Sequence, residues 1–164
     1  MKTILVLCTG NSARSILGEV LLNRRGQGHV QAFSAGSRPA GVINPGTVRL
    51  LAREGVETSG LRSKSWREFA GPETPPIDIV ITVCGSAAGE ACPVLPGRAM
   101  RAHWGLDDPS AVTGDDAEIN AAFARTWNLL LARVDAFLAL PFETMCDADL
   151  QLALNEIGEM EGAA

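Results

Sequence analysis

Cys8 and Arg14 flank the run Thr9-Gly10-Asn11-Ser12-Ala13, which follows directly on the apolar stretch Ile4-Leu5-Val6-Leu7. A cysteine and an arginine at this spacing, with small and turn-forming residues between them, have a definite chemistry. The intervening chain can close around a tetrahedral oxyanion with its backbone N–H groups pointing inward as a nest. A helix starting at the end of the run would add the positive end of its dipole. The planar fork of Arg14 can grip two oxygens at once. The same positive field favours a thiolate, which makes Cys8 the expected nucleophile. Thr9, Gly10, Asn11, Ser12, Ala13, Arg14 and Ser15 are therefore the expected oxyanion-binding residues. Asn11 tolerates left-handed backbone and can brace the loop. Ser15 has two open roles, capping the helix or bonding to the Cys8 sulfur.

The elements that must hold this loop are legible in the apolar pattern. Residues 3–7 read as a buried strand and residues 15–25 as a helix, with Leu17, Val20 and Leu21 at helical spacing and a stop near Gly26. A second strand is expected over residues 30–34. Asn44-Pro45 supplies an N-cap and a first-turn proline for a second helix, which Gly55 closes. Strands are expected over 77–83 and 98–103, and the longest helix over 118–138, with Ile119, Phe123, Leu130, Val134 and Phe137 on one face. Such alternation predicts an α/β domain, an open parallel four-stranded sheet with helices on both faces. Ligands of such sheets sit beyond the carboxyl ends of the strands. Cys8 follows the first strand, Cys84 the third and Asp108 the fourth, so all three converge on one end. Further on, Leu150, Leu154 and Ile157 recur at helical spacing and predict an additional amphipathic helix. The expected organisation is a domain over residues 1–140 and an acidic extension over 141–164, packed on or following it.

Composition narrows the function classes. The chain of 164 residues is 46% hydrophobic, which excludes disorder, and it carries no apolar run long enough for a membrane span. Its first residues are too quickly interrupted for a secretory signal, so the cytoplasm is the expected compartment. A net charge of −5 argues against a nucleic-acid partner. The acids Glu143, Asp147, Asp149, Glu156, Glu159 and Glu161 lie late in the chain with no base among them, leaving the preceding part close to neutral. Repulsion of an anionic substrate is screened beyond about 8–10 Å, and attraction at Arg14 decides binding. The cysteines Cys8, Cys84, Cys92 and Cys146 are not expected to form a permanent disulfide framework in a cytosolic chain. His29 and His103 do not stand at zinc spacings from them, so no metal centre is expected.

The loop resembles the Cys-x5-Arg-Ser signature of the low-molecular-weight protein tyrosine phosphatases, which pair it with a distant Asp-Pro general acid; Asp108-Pro109 matches. It is still more similar to the arsenate reductases built on the same fold, whose loop reads Cys-Thr-Gly-Asn-Ser-x-Arg-Ser. Those proteins carry two further cysteines after the third strand and a Trp-Gly-x-Asp-Asp-Pro element. Here these are Cys84, Cys92 and Trp104-Gly105-Leu106-Asp107-Asp108-Pro109. The resemblance, which spans roughly residues 1–140, implies reduction of arsenate to arsenite. In that scheme Cys8 attacks arsenate, Asp108 protonates the departing oxygen, Cys84 attacks the Cys8–arsenic adduct, and Cys92 then resolves the Cys8–Cys84 disulfide. Phosphate and sulfate would be competing oxyanions. An external reductant is required, whether thioredoxin, glutaredoxin with glutathione or another low-molecular-weight thiol, and no bound cofactor. The stretch from Gly85 to Ala91 is small-residued and glycine-broken, as a rearranging segment would be.

The departures from the family pattern are informative. Ser110-Ala111-Val112 follows Asp108-Pro109, where phosphatases of this fold place tyrosines, and the chain contains no tyrosine at all. Hydrolysis of phosphotyrosine or small phosphoesters is thus the alternative activity, and a non-catalytic oxyanion sensor the further alternative. Some relatives bind potassium beside the loop through Asn, Glu, Ser and Asp side chains. Asn11, Glu19 and Ser34 match, whereas Lys64 takes the aspartate position, so the ammonium is expected to stand where the ion would.

Overall fold

The computed structural model describes residues 1–85 and 97–164. Cys92, and with it the expected rearranging stretch beyond Gly85, lies outside the described residues. Four parallel strands, β1 (Lys2–Cys8), β2 (Val30–Gly36), β3 (Ile79–Thr82) and β4 (Met100–His103), form one sheet in the order β2-β1-β3-β4. The register aligns Cys8 with Gly36, Leu7 with Thr82, and Thr82 with His103. The carboxyl ends of β1, β3 and β4 therefore lie side by side, which brings Cys8, Cys84 and the segment leading to Asp108 to one edge.

Alternation along β1 divides the interior in two. Ile4 and Val6 face the larger core, shared with α1 (Arg14–Arg25), α2 (Pro45–Arg53), α3 (Asp116–Leu138) and α4 (Asp147–Gly158). Leu5 and Leu7 face a smaller cluster with Val80 and Ala35, covered by Trp66 and Phe69 from a 3₁₀ turn, Trp66–Phe69. The sequence carries no periodic signal for that turn. The helix starts have local causes. Asn44 accepts from Gly46 N at 2.8 Å and starts α2 with Pro45 in its first turn. A reciprocal capping box between Asp115 and Glu118 starts α3 two residues before the expected boundary. The strands β3 and β4 are shorter than the apolar runs suggested, because only residues 79–82 and 100–103 find ladder partners.

The late acidic stretch is built into the body. Leu150, Leu154 and Ile157 of α4 are buried in the larger core, and Trp104 donates from Nε1 to the Leu154 carbonyl at 3.0 Å. Phe142 stacks on Phe137 with ring centroids 4.7 Å apart. Arg133, fully buried on the apolar face of α3, donates to the carbonyls of Trp104 (2.8 Å), Gly105 (3.3 Å) and Met160 (3.4 Å). It ties the approach to Asp108 to the segment after α4. Among the described residues no helix is long and apolar enough to cross a membrane, and no cluster of three or more His, Cys, Asp or Glu could hold a metal ion.

Candidate active site

The loop between β1 and α1 is shaped by what its carbonyls do. Those of Cys8, Thr9, Gly10 and Ser12 all accept backbone N–H bonds from the facing segment: from Ser37 (3.2 Å), Arg38 (2.9 Å), Ala40 (2.9 Å) and Asn44 (3.0 Å) respectively. The Thr47 hydroxyl also donates to Ser12 O at 2.8 Å, and that of Ser63 to Gly10 O at 3.1 Å. A peptide's N–H points opposite its C=O. Anchoring these carbonyls outward turns the N–H groups of the following residues inward, which is the nest an oxyanion needs. Gly36, level with Cys8, permits this closeness: a Cβ there would overlap Thr9 O and stand 3.0 Å from the Asn11 Cβ. Sequence reasoning missed Gly36, Thr47 and Ser63, none of which has a signature until the loop lies against it.

Cys8 is buried beneath this loop with its sulfur 2.9 Å from Ser15 Oγ and 3.2 Å from the Asn11 N–H. Of the two roles open to Ser15, the structure selects the contact with Cys8: the N-cap position of α1 is Ala13, without a side-chain cap. Asn11, at φ 45°, organises the rest. Its Oδ1 accepts from Lys64 N at 2.8 Å, which fixes the amide orientation; its Nδ2 then donates to Ser15 Oγ (2.8 Å) and Ser34 Oγ (2.9 Å). With both hydroxyls accepting from Asn11, Ser15 donates onward to the Cys8 sulfur and Ser34 to Glu19. The sulfur thus receives two donors. Glu19 faces Lys64 Nζ at 3.7 Å, and both side chains are largely shielded from water. Burial pulls the Lys64 ammonium below the usual lysine value, with Glu19 opposing that shift.

Arg14 enters from the first residue of α1. Its Nη1 donates to Leu106 O at 2.8 Å, and its Nη2 stands 3.3 Å from Asp108 Oδ2. The Leu106 carbonyl, invisible in a sequence, thereby aims the guanidinium. Asp108 heads the 3₁₀ turn Pro109–Ala111; its Oδ1 accepts from Ser110 N (3.0 Å) and Ser110 Oγ (2.6 Å). Its other oxygen remains directed at Arg14. Arg14 and Asp108 thus face each other at the mouth of the loop. Asp107 lines the same cleft.

These groups border an open cleft of about 570 Å³. Cys8, Thr9, Gly10, Ser12, Ala13 and Arg14 line it together with Cys84, Asp107, Asp108 and Ser110. Asn11, within the loop, and Ser15, in the first turn of α1, are fully buried. Cys146 is exposed just before α4, and His103 bonds to Thr82 and Ala164. The geometry suits a nucleophile, an oxyanion cradle and an adjacent proton donor, with a second thiol-bearing residue in the same cleft.

The sequence model of the family described as "Low molecular weight phosphotyrosine protein phosphatase" matches residues 3–151. The chain belongs to this family. Within it, an arsenate reductase of Bacillus licheniformis is 35% identical over 137 residues, covering 83% of this chain and 94% of that protein. An arsenate reductase of Bacillus subtilis is 33% identical over 136 residues, with the same coverage of 83% and 94%. Among solved structures, an arsenate reductase from Archaeoglobus fulgidus superposes with a TM-score of 0.62 at 25% identity, covering 80% of this chain and 98% of that one. A low-molecular-weight protein tyrosine phosphatase from T. tengcongensis shares the fold at a TM-score of 0.64 and 22% identity, covering 82% and 96%.

Proposed function

We propose that this protein reduces arsenate to arsenite through a thiol–disulfide relay of Cys8, Cys84 and Cys92. The observation that carries the reading is Cys84 on the wall of the cleft that Cys8 and Arg14 enter. A phosphatase needs one thiol there; a reductase needs a second, because moving two electrons onto arsenic oxidises two thiols to a disulfide. Relatives named arsenate reductase at 33–35% identity support the same reading.

Arsenate sits in the N–H nest with Arg14 on two of its oxygens. The Cys8 thiolate forms a sulfur–arsenic bond as one oxygen leaves, protonated by Asp108, as water. The Cys84 thiolate then attacks the Cys8 sulfur. The electron pair of the sulfur–arsenic bond passes to arsenic, which departs as arsenite, and a Cys8–Cys84 disulfide forms. Attack by Cys92 on Cys84 releases the Cys8 thiolate and leaves a Cys84–Cys92 disulfide. An external dithiol, thioredoxin or glutaredoxin with a low-molecular-weight thiol, reduces that bond. Such a cycle needs a reducing compartment, so we place the protein in the cytoplasm.

Cys84→Ser and Cys92→Ser each lose sustained arsenate turnover while keeping hydrolysis of p-nitrophenyl phosphate at Cys8. Coupled thiol-consumption and ester assays on the same preparations read both. Full arsenate turnover in either variant overturns the relay.

A potassium ion does not fit beside the loop, since Lys64 already offers an ammonium to Glu19 at 3.7 Å. Turnover in potassium buffers should equal that in matched sodium buffers. A strong potassium requirement in the unmodified protein contradicts the assignment of Lys64 as the built-in cation.

A further inference from the structure

We infer that residues 161–164 form a selectivity wall of the oxyanion cleft, admitting bare inorganic oxyanions and disfavouring phosphate esters. The inference rests on the arsenate-reduction reading and deepens it. Ala164 lines the cleft together with Cys8, Arg14, Cys84, Leu106 and Asp108, and its Cβ packs 3.8 Å from where a Cβ on Gly85 would stand. The matched family segment ends at residue 151, so this wall lies beyond what the family model covers.

The segment is seated by specific contacts. Ala164 N donates to Gly105 O at 3.0 Å. His103 Nε2 donates to a main-chain oxygen of Ala164 at 3.1 Å, since that oxygen only accepts, and Nδ1 shares a hydrogen bond of 2.8 Å with the Thr82 hydroxyl. Ala163 N donates to Met160 O at 3.2 Å, and Arg133 holds that same carbonyl from within the core. Gly162, at φ 83°, packs closely on Leu129: a Cβ there would lie 2.6 Å from its Cδ1. Gly105 is matched to the arrangement. A Cβ on it would overlap the Ala164 oxygen and stand 2.9 Å from Cys84 O.

The position of the wall decides what it excludes. The oxygen that leaves the central atom must face Asp108, its proton donor. In arsenate that oxygen carries at most a hydrogen. In a phosphate ester it carries the organic group, which must run outward past Asp108 into the part of the cleft that Leu106 and Ala164, bonded to Gly105, also line. The wall therefore costs an ester space that the inorganic ion never uses, and it discriminates by shape at the step of transition-state binding.

Two variants test this. One ends the chain after Glu161, which keeps the Met160 peptide carbonyl that Arg133 holds. The other, Gly162→Val, unseats the segment by strain at positive φ and by collision with Leu129. Both are checked for folding by circular dichroism, then assayed for arsenite formation and p-nitrophenyl phosphate hydrolysis. In either variant kcat/KM for the ester rises about tenfold or more, and that for arsenate stays within about threefold. An unchanged ester rate in both folded variants overturns the inference, as does a parallel rise or fall of the two activities. Absence of arsenite from the unmodified protein is a separate result: it removes the arsenate reading itself, whatever the ester assay gives.

Discussion

Cys8→Ser removes both arsenate reduction and ester hydrolysis, each by at least about 10⁴-fold, while phosphate still binds. The two outcomes separate because the atoms doing the two jobs differ. In the proposed mechanism binding rests on Arg14 and on the inward N–H groups, the latter fixed by carbonyl anchors from Ser37, Arg38, Ala40 and Asn44, and none of these anchors involves the sulfur. Attack rests on the sulfur alone, which receives the Ser15 and Asn11 donors. A serine hydroxyl fits the same space and can hydrogen-bond to Ser15, but it lacks the ready ionisation and softness of a thiol. Initial-rate assays give the activity loss, and titration calorimetry with inorganic phosphate gives the retained affinity. Residual activity within tenfold of the unmodified protein would move the nucleophile elsewhere.

Arg14→Lys lowers kcat/KM for arsenate and for p-nitrophenyl phosphate by roughly 100- to 1,000-fold. The charge survives, but the fork does not. Arg14 presents one nitrogen to Leu106 O at 2.8 Å and another toward Asp108 at 3.3 Å, so the guanidinium is aimed before any anion arrives. A lysine ammonium has neither the reach nor the two parallel donors to hold a tetrahedral anion and keep that backbone anchor. Steady-state kinetics on both substrates should show kcat falling along with the apparent affinity. A variant that changes only KM would make Arg14 a simple counter-charge.

The loop's place in the fold was legible because the run is local. Cys8, Arg14 and the small residues between them sit in one run, and the apolar strands around them fix which end of the sheet they reach. Asp108 and Cys84 were legible one level up, since both follow strands whose carboxyl ends share an edge with β1. What stayed hidden depends on partners distant in the chain. The Leu106 carbonyl that orients Arg14 is backbone, and any residue type would supply it. Gly36 becomes necessary only because Thr9 O lies against it. The turn at Trp66–Phe69 has too few residues to show a period. Arg133 was findable: it falls on the apolar stripe of Leu130, Val134 and Phe137, where a charge is out of place unless something buried needs its donors. The α3 capping box, Asp115 with Glu118, was also written in the sequence and would have corrected the start of that helix.

Arsenic speciation after incubating the unmodified protein with arsenate and a dithiol reductant tests the relay most directly, with mass spectrometry of protein trapped after one turnover. The expected result is arsenite accumulating over many turnovers, and a Cys84–Cys92 disulfide in the trapped protein. Unchanged arsenate from a preparation that still hydrolyses p-nitrophenyl phosphate would contradict it, leaving Cys8, Arg14 and Asp108 as the machinery of a phosphatase.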